Sequence, residues 1–104
     1  MPYKTIVLEL LESQPALSEK LKASSSLLST MEMIAIQLRT SHLQFVEQMH
    51  SQHPDASVET IRIQALEYQI NQLQQHLHTL ATKSDLQAIT VAQIQQTLLS
   101  MMTE

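Results

Sequence analysis

Apolar residues fall along most of this chain at alternating steps of three and four. From Pro15 to Gln52 the positions Leu17, Leu21, Ser24, Leu28, Met31, Ala35, Leu38, His42, Phe45 and Met49 form one such seam. Spacing of that kind puts every member on one stripe of an α-helix. Leu27, Ile34, Ile36, Leu43 and Val46 widen the stripe beyond a two-stranded seam, to the width a bundle helix shows. A second seam runs through Ile63, Leu66, Ile70, Leu73, Leu77 and Leu80. It continues in phase through Ser84, Gln87, Val91, Ile94, Leu98 and Met101. Ahead of both, Ile6, Val7, Leu10 and Leu11 mark a short amphipathic helix.

Prolines and turn residues divide these segments. Pro15 lacks a backbone donor and disfavours helix at Gln14, so it ends the first helix and suits the first turn of the next. Thr5 and Ser13 are the candidate caps. The stretch HPDAS at 53–57 is the clearest turn, with Asp55 or Ser57 placed to cap the helix after it. The expected elements are therefore helix 5–13, helix 15–52, a turn at 53–57, helix 58–81 and helix 85–102. The last is either separate or continuous with the one before. A strand reading of YKTIVLEL is outweighed, because no other segment offers a strand to pair with.

Two places weaken the helical pattern. Ser24–Ser26 interrupt the first long segment. TKSDLQ at 82–87 interrupts the second, where Ser84 and Gln87 fit a capping box. If the chain folds back at Pro54, facing residues sum to about 109, since both arms rise at about 1.5 Å per residue. Ser25 then stands opposite Ser84, and His42 opposite Glu67 and Tyr68. Either both helices break at that level, giving a bundle of four or five helices, or small side chains permit a close crossing. The continuing apolar face favours the unbroken form. The expected fold is all-α: a long antiparallel helical hairpin with a short N-terminal helix.

Composition supports helix and narrows function. The 104 residues contain no Gly, no Cys and no Trp, and 43% are apolar. Without Gly the positive-φ turns of β-hairpins lose their usual residue. The same absence removes phosphate-cradling loops and the G-x-S-x-G nucleophile turn. Without Cys there are no disulfides or thiolate metal sites. The formal net charge is −4, and the six basic residues are scattered, which gives no footprint for nucleic acid. No signal-peptide pattern opens the chain, and no apolar run reaches the length of about 20 residues that spans a membrane. A cytoplasmic, non-enzymatic protein is the expectation.

A lone hairpin of this kind leaves much of each apolar stripe in water. Between Val58 and Met102 the only charges are Glu59, Arg62, Glu67, Lys83 and Asp85, beside nine glutamines. A solvated helix usually carries more ions. A missing surface is implied, with a second copy as its simplest supplier and a two-fold four-helix bundle or coiled-coil-like homodimer as the result. The interface residues expected on the seams are Leu28, Met31, Leu38, His42, Phe45, Ile70, Leu73, Leu77, Val91, Ile94 and Leu98. The alternative supplier is another helical protein, whose helix a chaperone-like or secretion-associated binder would hold in its groove.

Metal chemistry is the third candidate. Glu47 and His50 form one Glu-x-x-His, and His53 lies three residues on. Carboxylate-bridged bundles need two such motifs and two further inward carboxylates. These three residues sit beside the seam, so surface residues at a helix end are the simpler account, and no cofactor is expected. His42 lies on the seam itself. It is either a pH-sensitive contact or a buried polar residue that sets register, satisfied by Glu67 or Tyr68.

The segments PYKTIVLELLESQPALSEKL and LLSTMEMIAIQLRTSHLQFV resemble the opening of a group of short bacterial helical proteins of uncharacterised function. The resemblance covers residues 2–50 and implies an all-helical fold, with nothing about activity. The Gln-rich tail after Ala81 departs from that pattern.

Overall fold

The computed structural model describes residues 2–103, and among them every regular element is helical. The order is α1 (Tyr3–Glu12), α2 (Pro15–Ala23), α3 (Leu27–Gln52), α4 (Val58–Ala81) and α5 (Val91–Met102). The molecule is elongated, 49 × 23 × 18 Å. Its frame is the α3–α4 pair, which the turn at 53–57 joins and which pack against each other.

The helix expected over 15–52 is two helices. It breaks at Ser24–Ser26, where Ser25 has φ 56°. The Ser26 N–H donates to Leu21 O at 2.8 Å and the Ser25 N–H to Lys22 O at 3.0 Å. That pair of bonds is the Schellman arrangement, which normally recruits Gly at the left-handed position. The chain has no Gly, so Ser25 takes that conformation at a cost of about 1 kcal/mol. Neighbouring hydroxyls offset part of this. Ser24 Oγ donates to Lys20 O and Leu21 O, and Ser26 Oγ to Ser24 O. Serines compete with the helix for backbone acceptors, and here three together end it.

The second weak point also breaks, later than expected. Residues 82–90 are a connection rather than helix, so α5 begins at Val91 and not at residue 85. The capping box is Thr90 with Gln93, and not Ser84 with Gln87. Gln93 N–H donates to Thr90 Oγ1 at 3.1 Å, and Thr90 N–H to Gln93 Oε1 at 2.8 Å. Within the connection Leu86 is buried, and Lys20 Nζ donates to Gln87 O at 3.2 Å, tying the segment to α2. The polar interruptions of the two long segments thus lie at one end of the molecule.

Smaller differences concern the caps. Pro2 stands at the N-cap of α1, so Thr5 lies inside that helix. Gln14 precedes Pro15 at the start of α2, and Ser13 Oγ instead donates back to Leu10 O. Ser57 occupies the N-cap of α4 without a side-chain capping bond.

One core unites Val7 and Leu11 of α1, Leu17 and Leu21 of α2, Met31, Ile34, Ala35 and Leu38 of α3, Leu73, Leu77 and Leu80 of α4, and Ile94 and Leu98 of α5, with Leu86 between. The surface missing from a bare hairpin is therefore supplied by the chain itself over this part of the frame. Beyond it, among the described residues, only His42, Ile61 and Ala65 of the α3–α4 pair are buried. No residue from 43 through 60 is buried. We call the covered part the head and the uncovered part of α3 and α4 the arm.

Candidate interaction surface

His42 marks the boundary between head and arm. It is 2% exposed and joins three helices. Its Nε2 lies 3.0 Å from the Arg62 carbonyl oxygen of α4, which only accepts, so Nε2 carries the hydrogen. Its Nδ1, 2.8 Å from Tyr3 of α1, then accepts from the phenolic O–H. The Tyr3 and His42 rings meet edge-on at 5.9 Å. The partners expected from hairpin arithmetic, Glu67 and Tyr68, are not the ones used. Tyr68 instead stacks on Phe45, with ring centroids 4.8 Å apart and an interplanar angle of 10°. α1 supplies the hydroxyl, a contact that pairing α3 with α4 alone leaves out.

Around and beyond this boundary the α3–α4 pair has two unfilled faces. The first is an open furrow of about 670 Å³. One wall is Gln37, Ser41, Gln44 and Gln48 of α3; the other is Gln69, Gln72 and His76 of α4. Leu38 and Leu73 contribute to its floor, the stacked Phe45 and Tyr68 lie along it, and Met101 and Met102 at the end of α5 close it above. None of the described residues that line it is Asp, Glu, Lys or Arg.

The second face lies on α4 alone. Val58, Ile63, Leu66 and Ile70 form an apolar trough of about 650 Å³ bordered by Glu59, Arg62 and Glu67. At about 100° of rotation per residue it is turned roughly 100° around α4 from the furrow. Ile63 is 55% exposed, too much for a residue with a partner in the same chain. Among the described residues the one ion pair is Lys4–Glu32, at 3.8 Å and well exposed, so these three trough charges make none within the chain.

The residues expected at an intermolecular interface divide sharply. Met31, Leu38, His42, Leu73, Leu77, Ile94 and Leu98 are buried within the single chain. They belong to its own core, because α1, α2 and α5 fold back onto the frame. Phe45, Ile70 and Val91 are partly buried, and Leu28, just past the serine break, is 64% exposed. The furrow glutamines line an open face that the apolar pattern does not single out. They carry a signal of their own, since Gln37, Ser41, Gln44 and Gln48 repeat at four, three and four, a polar seam beside the apolar one.

Glu47, His50 and His53 are exposed at the far end of the arm. Among the described residues no group of three or more His, Asp or Glu stands close enough to hold a metal ion. No helix of the described residues is long and apolar enough to cross a membrane. No protein-family model, curated protein or solved structure matches the chain.

Proposed function

We propose that the chain is a non-enzymatic helical interaction module, with a head that holds itself together and an arm that pairs with another helical surface. The first partner is a second copy, making a homo-oligomeric scaffold or adaptor in which two α3–α4 hairpins form a four-helix-bundle-like assembly. The observation that carries this is the arm itself. Leu43, Val58, Ile63 and Tyr68 are exposed there, with Phe45, Val46, Leu66 and Ile70 only partly covered. Large apolar side chains exposed in this number on a small domain mark a contact site. Light scattering in line with size exclusion, over a dilution series, tests the proposal. A mass near twice 11.8 kDa at high concentration, falling toward one chain on dilution, is expected. One chain at every concentration contradicts it.

A second reading has its own support in the α4 trough. Four apolar side chains flanked by both charge signs suit the apolar face of an amphipathic helix from a different protein. In that reading the module is a chaperone-like binder, monomeric alone, and Ile63→Glu abolishes capture of its partner without changing the monomer.

A further inference from the structure

The furrow is the continuation of a seat that is already filled. α5 lies against α3 with Gln95 Nε2 donating to Thr30 Oγ1 at 3.1 Å. Thr30, Gln37, Ser41, Gln44 and Gln48 share one stripe of α3, within about 60° of one another at 100° per residue. α5 therefore occupies the upper part of a single channel between α3 and α4, and the furrow is the vacant lower part. The residue offset from Thr30 to Gln95 is 95 − 30 = 65. The same offset places Met102 beside Gln37, where the furrow starts.

Ridge and furrow match in length and in chemistry. α5 has 12 residues. The furrow runs along α3 from Gln37 to Gln48, which is again 48 − 37 + 1 = 12 residues. Along α3 both are about 18 Å long, and the α4 wall, Tyr68 to His76, is about 13 Å. α5, VAQIQQTLLSMM, carries no charged residue. Its outward side chains Ala92, Gln93, Gln96 and Ser100 are exposed amides, a hydroxyl and a methyl. Among the described residues the lining of the furrow is equally free of Asp, Glu, Lys and Arg, in a chain of net charge −4. Two such chains repel, so they meet most easily where neither is charged. A glutamine both donates and accepts, so an amide face suits an amide face of its own kind.

We propose that the furrow receives the outward face of α5 from a second copy, and that the exchange is mutual. A two-fold axis beside Met101 and Met102 turns a ridge-above-furrow surface into its own complement. Each α5 then fills the other copy's furrow, an isologous contact in which one surface serves twice. The rotation brings Gln96 of the partner subunit to about the level of Gln44, and Gln93 of the partner subunit near Gln48. Four helices, α3, α4, α5 and the partner subunit's α5, thus line one closed channel. The proposal rests on self-association of the chain and names the furrow and α5, rather than the α4 trough, as the contact.

The test is sedimentation equilibrium on the full chain with Gln44→Arg, with Gln96→Glu, and with the two variants mixed. Both positions are exposed, so each variant is expected to keep the circular dichroism of the parent. Each alone is expected to weaken the dimer by at least about tenfold, through a charge placed in an uncharged contact. The equimolar mixture is expected to recover a dimer, with the new arginine of one copy against the new glutamate of the other. A parent dimer that both variants leave intact overturns the furrow while leaving self-association standing. So does a dimer that is lost in Ile63→Glu and kept in Gln44→Arg. A parent that is monomeric throughout overturns both.

Discussion

The head and the arm are built from the same two helices and differ in what covers them. In the head Leu38 of α3 and Leu73 and Leu77 of α4 are buried among three further helices. In the arm Phe45, Leu66 and Ile70 hold the same seam positions and remain partly in water. Sequence periodicity is equal on both sides of His42, and burial is not. A helical stripe reports which face seeks cover; it does not report which element supplies it. Here α1, α2 and α5 supply it for one half, and the other half keeps its apolar side chains partly in water.

Cavity formation should separate the two regions most sharply. Leu77→Ala in the head removes a fully buried side chain and is expected to cost about 2–5 kcal/mol in urea unfolding. Leu66→Ala in the arm should cost under about 1 kcal/mol at concentrations where the chain is monomeric, because its side chain already faces water in part. Equal losses would erase the distinction. At the boundary, His42→Ala leaves a void beside Tyr3 and is expected to lose about 2–3 kcal/mol. His42→Leu should stay within about 1 kcal/mol of the parent, since it fills the space and Tyr3 is only half-buried. A large loss in the leucine variant would assign the imidazole more than a packing role.

The two breaks that let the head close offer smaller effects. Thr90→Ala removes the capping box of α5 and should cost about 1 kcal/mol, read as a lower thermal midpoint. Ser25→Gly should gain about 0.5–1 kcal/mol, because Gly accepts positive φ without steric cost. A loss at Ser25→Gly would show that the left-handed turn is not where α2 ends.

Much of this fold is legible along the chain. Pro15 and Pro54 mark their turns through the missing donor and the restricted residue before each. The all-helical class comes from apolar spacing and the absence of Gly. The same absence hides the break at Ser25, since the usual residue of a left-handed cap is not there to signal it. The start of α5 is ambiguous in sequence because Ser84–Gln87 and Thr90–Gln93 both have capping-box spacing, and only packing decides between them. Leu86 is buried in the connection, and Lys20 reaches the Gln87 carbonyl across 67 positions of sequence. Such long-range contacts leave no local mark. The open faces are the least legible part. The apolar seam positions are mostly internal, whereas the polar seam Gln37, Ser41, Gln44 and Gln48 lines the open furrow.

Amide hydrogen exchange read by mass spectrometry at low and high protein concentration tests the division most directly. Protection in the head, including residues 27–36 and 77–81, is expected to be the same at both concentrations. Residues 43–52 and 58–72 of the arm should exchange quickly in dilute protein and become protected as concentration rises. Arm protection that matches the head in dilute protein, or exchange that ignores concentration throughout, would contradict the account.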